Sequence, residues 1–234
     1  MVPWWKCIES SSTGIEQLIF DPHIHSKYSG DSAIEPAIIL KVAKKMGLDG
    51  IAVTDHMTIK GGIETRKMNL DPDFYVIVGS EIETNNKEDL VGLFLTEDIK
   101  SRDTEDVITE IKAQGGVVFW AHPFRFGKNV LHSDAIEQLD LIEGFNSKTS
   151  ASRNMLAQQL AREYDKPVVG ASDAHQAVEI GNGKTLVHDT GFDKIREALV
   201  SGKTQIVDSC LSYDYLDDML WLSLVCVVAQ RGFV

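Results

Sequence analysis

The sequence is poor in cysteine, and the three cysteines it has lie far apart. Cys7, Cys210 and Cys226 are odd in number and form no C-x-x-C pair. A disulfide framework needs paired cysteines, and a thiolate zinc site needs closely spaced ones. The pattern therefore argues against both, and a reducing cytoplasm is the compartment we expect.

Long apolar runs and an excess of basic residues are also missing. The longest apolar stretch, residues 219–229, falls short of the ~20 residues that a membrane-spanning helix needs. No basic segment followed by an apolar core opens the chain, so no signal peptide and no membrane partner are predicted. The formal net charge of -12 disfavours tight attachment to phosphate backbones. Nucleic acid is therefore expected as a substrate at most.

Several catalytic motifs and all low-complexity linkers are absent. The chain has no G-x-S-x-G, Walker or G-x-G-x-x-G sequence, which argues against serine catalysis, nucleoside triphosphate binding and dinucleotide binding. Its 234 residues, 43% of them hydrophobic, suit one globular domain. We predict an extension at 1–17, a barrel domain at 18–210 and an apolar tail at 211–234. The tail is expected to pack on the barrel or to form an oligomer contact.

Short apolar runs alternate with longer amphipathic segments along most of the chain. The runs predicted as strands are 18–23, 50–56, 74–81, 90–95, 116–123, 139–146 and 167–175, and the predicted helices are 34–47, 103–116, 150–165 and 192–203. Strand, helix and strand in repetition indicate a parallel α/β sheet. About seven strands favour closure into a barrel, although segment lengths alone leave an open sheet possible.

Ionisable residues follow many of these apolar runs at the carboxyl end. His23 and His25 lie on one face of a strand and could hold one ion, yet an isolated H-x-H pair is more often just a polar strand end. Here the pattern recurs in eight residues: His23, His25, Asp31, His56, Glu81, His122, Asp173 and His175. Clustered at one rim of a barrel, such groups are most directly neutralised by cations. Mixed imidazole and carboxylate ligands suit Zn, Mn or Fe, and more than one ion.

Five segments together resemble the polymerase-and-histidinol-phosphatase (PHP) family of metal-dependent phosphoesterases. They are "DPHIHSKYSGDS", "GIAVTDH", "GSEIET", "AHPFR" and "GASDAH", and the resemblance extends over residues 18–207. It implies a single-domain, distorted (β/α)7 TIM-like barrel. It also implies that the chain is a stand-alone phosphoric ester hydrolase.

The resemblance also implies a set of metal ligands. His23, His25, Glu81 and Asp173 would hold one ion, and Glu81 would bridge it to a second ion held by three other residues, Asp31, His56 and His175. Some relatives bind a third ion through the bridging glutamate, the A-H-P histidine (here His122) and another histidine, where this chain has Asp89. Asp89 could still coordinate; otherwise His122 could bind substrate or donate a proton. We expect two or three divalent ions of Zn, Mn or Fe, with Mg possible.

The predicted activity is hydrolysis of a small phosphomonoester or a nucleotide phosphodiester by a metal-activated water. The predicted catalytic residues are His122 and Arg125, whose planar guanidinium can contact two phosphate oxygens. Lys148 and Lys27 are further candidates, although solvated loop cations are the commoner case. Glu143 and Asn146 could orient ligand histidines. The alternatives are a nuclease acting on short or single-stranded nucleic acid and a non-catalytic binding module.

Overall fold

A computed structural model describes residues 17–125, 131–188 and 194–208. Most of the predicted extension at 1–17 and the whole predicted tail at 211–234 lie outside the described residues. The proposed oligomer contact through the tail therefore stays a prediction.

Within the described residues, nine strands form one sheet that curls into a nearly closed barrel, which confirms the predicted fold class. The strands are β1 Gln17–Ile24, β2 Gly50–Val53, β3 Tyr75–Glu83, β4 Asp89–Leu93, β5 Val117–Trp120, β6 Leu141–Asn146, β7 Val168–Ala171, β8 Gly183–His188 and β9 Thr204–Asp208. Their order in the sheet is β7-β6-β5-β4-β3-β2-β1-β8-β9. All seven predicted strands are present, and β8 and β9 were not predicted.

Six α-helices accompany the sheet within the described ranges. They are α1 Pro36–Lys45, α2 Lys60–Met68, α3 Thr104–Ala113, α4 Ser133–Gln138, α5 Ala151–Glu163 and α6 Ile195–Val200. Proline opens α1, where its missing N–H costs nothing, and the Asp103 carboxylate accepts from two backbone N–H groups at the start of α3. In the described part of the chain, none of these helices has both the length and the apolar character to cross a bilayer.

The expectation of a parallel sheet is wrong at β4, β8 and β9. A tight turn joins β3 to β4, in which Thr84 N donates to Glu88 O at 2.8 Å, and β4 runs antiparallel to both β3 and β5. No crossover helix is needed between antiparallel neighbours. As a consequence the amino end of β4, at Asp89, lies at the same rim as the carboxyl ends of the parallel strands.

The apolar interior of the barrel forms a floor below that rim. One cluster takes buried side chains from β1 to β8, among them Phe20, Val91, Phe119 and Val169, and α6 packs against it. A cluster that draws on every one of these strands lies inside the barrel rather than under one helix. The polar side chains at the rim therefore lie on an apolar layer, with the Phe119 ring centroid 6.3 Å from that of His23.

The barrel closes where the end of β1 meets the segment after β7. His25 N donates to Ala174 O at 2.9 Å. Deeper in, the buried Asp21 carboxylate accepts from Ser172 N at 3.1 Å and from Gly181 N at 2.9 Å. Burial raises the pKa of Asp21 to about 6 despite these hydrogen bonds. Closure brings the H-x-H pair against the segment that carries the last two predicted ligands.

Candidate metal centre

The structure brings all eight predicted ligands together at one rim of the barrel. Each is delivered by the end of a strand or by the loop that follows it: β1 and its loop carry His23, His25 and Asp31, β2 is followed by His56, β3 contains Glu81, β5 is followed by His122, and β7 is followed by Asp173 and His175. Strands that are far apart in sequence thus place their polar ends on a common surface.

The Glu81 carboxylate lies at the middle of the group. Its Oε2 is 3.3 Å from His23 Nε2 and 3.2 Å from His25 Nε2. The same oxygen is 3.2 Å from His56 Nδ1, and Oε1 is 2.9 Å from His122 Nε2. One carboxylate therefore reaches four imidazoles, as a bridging ligand would have to.

Asp173 shows that protein groups alone leave this cluster incomplete. Its Oδ1 is buried and accepts no hydrogen bond from any described residue. The same atom lies 3.2 Å from His25 Nε2, 3.7 Å from His23 Nε2 and 3.4 Å from His175 Nδ1. A buried oxygen without a donor is costly unless a cation takes the place of the donor.

The spacing of the ring nitrogens also fits a shared ion. His23 Nε2 and His25 Nε2 are 3.1 Å apart. Two ligand atoms that are each about 2.0 Å from a tetrahedral ion are separated by about 3.3 Å. Ligand atoms of His23, His25 and Glu81 form one such converging set. We call these three residues and Asp173 the inner group.

A second set, the outer group, consists of Asp31, His56 and His175. Asp31 Oδ2 is 3.0 Å from His56 Nε2 and 3.0 Å from His175 Nε2. The three side chains are 48%, 36% and 21% exposed, whereas no side chain of the inner group is more than 2% exposed. Solvent, and therefore a ligand, reaches the centre from the side of the outer group.

A third set joins Glu81, His122 and Asp89. His122 Nε2 contacts Glu81, and its Nδ1 lies 3.9 Å from Asp89 Oδ2. Burial, with a contribution from the neighbouring Glu81 charge, raises the pKa of Asp89 to about 6. The antiparallel β4 thus places Asp89 in one set with His122 and Glu81, and Glu81 also belongs to the inner group.

Two residues outside the ligand set fix the orientation of the ligand rings. Glu143 Oε1 lies 3.0 Å from His23 Nδ1, and its Oε2 accepts from His122 N at 2.6 Å. Ser29 Oγ is 2.9 Å from His25 Nδ1. Engaging Nδ1 in this way leaves Nε2 directed at the centre. Glu143 was predicted in this role; Ser29 was not, because a serine in a polar loop carries no distinguishing signal.

Two of the predicted ligands are among the six described residues other than glycine that have a positive φ. His122 has a φ of 31° and Asp173 a φ of 52°, in the left-handed region that side chains with a Cβ rarely adopt. Such conformations persist where the surroundings enforce them, and they cluster at functional sites. The hydrogen bond from His122 N to Glu143 is one such constraint.

The ionisable groups of the inner group compete for positive charge. Burial opposes charge on His23, but Glu81, Asp173 and Glu143 raise its pKa well above the usual range. Burial also opposes ionisation of Asp173, yet the neighbouring imidazoles hold the pKa of this carboxyl below its usual range. The carboxylates thus favour protonated imidazoles. A divalent ion would supply the same positive charge and leave the imidazole nitrogens unprotonated, as coordination requires.

The predicted cations differ in how they lie relative to the centre. Arg125 contacts Asp173 Oδ2 at 2.5 Å and also donates to Asn146 Oδ1 and Thr149 Oγ1. Lys148 Nζ lies 2.8 Å from His175 Nδ1. Lys27 instead pairs with the exposed Glu35. Arg125 and Lys148 therefore border the ligand groups directly.

Comparisons with known proteins find a family model and a relative that match parts of this chain. A family model described as PHP-associated matches residues 151–204. The uncharacterized protein MJ1587 of Methanocaldococcus jannaschii is 46% identical over 140 residues, which cover 54% of this chain and 81% of that protein.

Two solved structures share the fold. One is a two-domain protein from Bacteroides vulgatus that contains a predicted PHP-like metal-dependent phosphoesterase, with a TM-score of 0.74, 23% identity and coverage of 84% of this chain and 66% of that chain. The other is a lesion-specific endonuclease from Pyrococcus furiosus, with a TM-score of 0.64, 19% identity and coverage of 89% and 66%. The chain spans just under two thirds of each of these proteins.

The barrel, with its rim of histidines and carboxylates, is the fold of the PHP-like metal-dependent phosphoesterases. The chain belongs to the PHP family.

Proposed function

We propose that this chain is a metal-dependent phosphoesterase that hydrolyses a small phosphomonoester or a nucleotide phosphodiester by attack of water. The observation that carries the proposal is the buried Asp173 Oδ1, which accepts no hydrogen bond from the described residues and faces three imidazoles. It lies beside Glu81, which four histidines contact. Imidazole nitrogens and carboxylate oxygens are suitable ligands for divalent ions, and a phosphate ester is a substrate that such ions can activate.

The ligands we propose follow the groups defined above. His23, His25, Glu81 and Asp173 hold one ion, and Asp31, His56 and His175 hold a second that Glu81 bridges to the first; Glu81, Asp89 and His122 form a possible third set. Zn, Mn and Fe fit these ligand types. Bound ions supply positive charge that lowers the pKa of a water and neutralises phosphate oxygens. Glu143 and Ser29 hold the rings in place.

Arg125 is the residue we propose to contact the substrate, and His122 joins it where the third set holds no ion. His122 is almost fully buried, with Nε2 2.9 Å from Glu81 Oε1 and Nδ1 3.9 Å from Asp89 Oδ2, so its ring lies beside the proposed bridging ligand. Arg125 places its positive charge against Asp173 and thus beside the inner group. A guanidinium at that position is suited to contact phosphate oxygens as charge develops on them.

A nuclease is the second candidate, and it is supported by the similarity to the Pyrococcus furiosus lesion-specific endonuclease. The net charge of -12 weighs against it. A strand of nucleic acid gains most of its affinity from clustered lysines and arginines. A small ester needs only the charges of the centre itself.

The test is hydrolysis of an aryl phosphomonoester, a bis-aryl phosphodiester and a single-stranded oligonucleotide by protein loaded in turn with Mn, Zn and Fe. We expect metal-dependent turnover of a small ester that is lost in the double variant His23→Ala, His25→Ala. Lys67→Met, which changes an exposed lysine on α2, serves as the matched control. Preference for the oligonucleotide would favour the nuclease, and metal-loaded protein inactive on all three would contradict the proposal.

A further inference from the structure

We propose that Lys148 binds the phosphate of the substrate at the outer group. The inference rests on the proposed function, because it takes Asp31, His56 and His175 as ligands of an ion. The outer group is the side of the centre that solvent reaches. Lys148 borders this side, with its Nζ 2.8 Å from His175 Nδ1.

The backbone that carries Lys148 is fixed, while its side chain is not enclosed. Lys148 N donates to Asn146 Oδ1 at 2.9 Å. The preceding Ser147 is tied to the end of the neighbouring strand β7, since its N donates to Ala171 O and its Oγ to Ser172 O. The Lys148 side chain is 29% exposed. A rigid base with an accessible ammonium is suited to a ligand that arrives from solvent.

His175 Nδ1 has two neighbours that require opposite positions of the ring proton. An ammonium only donates, so the 2.8 Å contact with Lys148 uses a lone pair on Nδ1, whereas the 3.0 Å contact with Asp173 O uses a proton on it. A histidine that ligates an ion through Nε2 has the second arrangement, with the proton on Nδ1. That proton has an acceptor ready in Asp173 O, 3.0 Å from Nδ1.

An ion held by His175 Nε2 would keep the ring proton on Nδ1 and so remove the acceptor that Lys148 has on this ring. The ammonium keeps Glu179 Oε2, at 3.3 Å, as a partner. It then has donors to offer to an anionic oxygen at the outer group. Ion binding at the outer group and the availability of Lys148 for phosphate would thus be coupled through Nε2 and Nδ1 of His175.

The other predicted cations are placed differently from Lys148. The Arg125 guanidinium is engaged by Asp173, Asn146 and Thr149 at the inner side. Lys27 Nζ lies 2.8 Å from Glu35 Oε2.

A charge-assisted hydrogen bond to phosphate is worth about 1.5–3 kcal/mol, which corresponds to roughly 10–150-fold in affinity.

The experiment measures the affinity of Mn-loaded protein for inorganic phosphate by calorimetry, together with Mn content by elemental analysis. We expect Lys148→Met to weaken phosphate binding about 10–150-fold with Mn content unchanged, and Lys148→Arg to restore part of the affinity. Lys67→Met should match the wild type. With a hydrolysed ester, Lys148→Met should raise KM by a similar factor and change kcat less.

Each outcome decides the matter. Wild-type phosphate affinity in Lys148→Met overturns the inference, and hydrolysis by the wild type would then leave the proposed function intact. Loss of Mn in Lys148→Met overturns it too, because the lysine would then support His175 rather than bind phosphate. Absence of phosphate binding by the wild type also overturns it. Weakened phosphate binding in Lys148→Met, without hydrolysis of any ester by the wild type, would uphold the phosphate site and refute the proposed function.

Discussion

At the scale of single residues, Glu143 orders the centre without belonging to the ligand set. It contacts His23 Nδ1 with one oxygen, and with the other it accepts from His122 N and from Asn146 Nδ2. The two histidines come from β1 and from the loop after β5. One buried carboxylate therefore sets the orientation of a ring on β1 and of the strained backbone in the loop after β5.

Replacing Glu143 by glutamine should weaken metal binding about 10–100-fold, the range seen for groups that orient metal-binding histidines. The side chain keeps its shape, but an amide NH₂ must now face either the His122 and Asn146 donors or His23 Nδ1. Titration of metal-stripped protein with Zn or Mn measures the change. Glu64→Gln, which alters an exposed glutamate paired with Lys67 on α2, is the control. Equal metal affinity in Glu143→Gln and wild type would show that the ring needs no such partner.

The gathering of the candidate ligands at one rim could be predicted from the sequence, whereas of the two residues that orient their rings only Glu143 was predicted. Histidines and carboxylates at the ends of apolar runs are conspicuous because such positions rarely carry them in this density. Ser29 looks like any loop serine, and only the folded geometry brings its hydroxyl to His25 Nδ1. Asp89 was noticed through the resemblance, while its place at the rim depends on the direction of β4.

At the scale of elements, the start of α2 is built against the loop that carries the first ligands. Asp55 accepts from both Ser26 N, at 2.6 Å, and Ser26 Oγ, at 2.7 Å, which ties the turn after His25 to the end of β2. Gly61, in the first turn of α2, lies directly over this pair. A Cβ at Gly61 would overlap both Asp55 Oδ2 and Ser26 Oγ.

Gly61→Ala should therefore destabilise the protein by about 1–3 kcal/mol, the usual cost of overpacking. On an open helix surface the same change would be stabilising, because alanine is the better helix former. Urea unfolding gives the free energy, with Lys67→Ala on the exposed side of α2 as the control. A more stable Gly61→Ala protein would mean that α2 shifts without cost and that the close approach has no role.

Element types were predicted well from periodicity, whereas element directions were not. The apolar run of β4 is consistent with either direction, because a fully buried strand shows no alternation to orient it. Strand β8 escaped prediction for a different reason. In β8 buried and half-buried residues alternate, with Lys184 and His188 on the more exposed face, so no continuous apolar run signals it. The glycines of α2 similarly weaken its helical signal.

At the scale of the whole molecule, five carboxylates gather at one rim of the barrel. Asp31, Glu81, Asp89, Glu143 and Asp173 lie at or beside one rim. Part of the net charge of -12 thus belongs to a site that divalent cations neutralise, rather than to a surface that only repels polyanions. The centre also links β1, β2, β3, β5 and β7, so its occupancy bears on the stability of the whole barrel.

Removal of the ions by a chelator should accordingly lower the melting temperature. An ion present at 100 times its Kd contributes about 2.7 kcal/mol. For a chain of this size each kcal/mol corresponds to about 2–4 °C, so a shift of roughly 5–10 °C per ion is expected. Thermal unfolding with Mn or Zn and after exhaustive chelation measures it, and elemental analysis should find two or three ions per chain. In Glu81→Ala the shift should nearly vanish, since this carboxylate contacts four of the histidines. The wild type could instead keep its melting temperature after chelation, in protein shown to have lost its metal. The ligand side chains would then hold the barrel together by themselves.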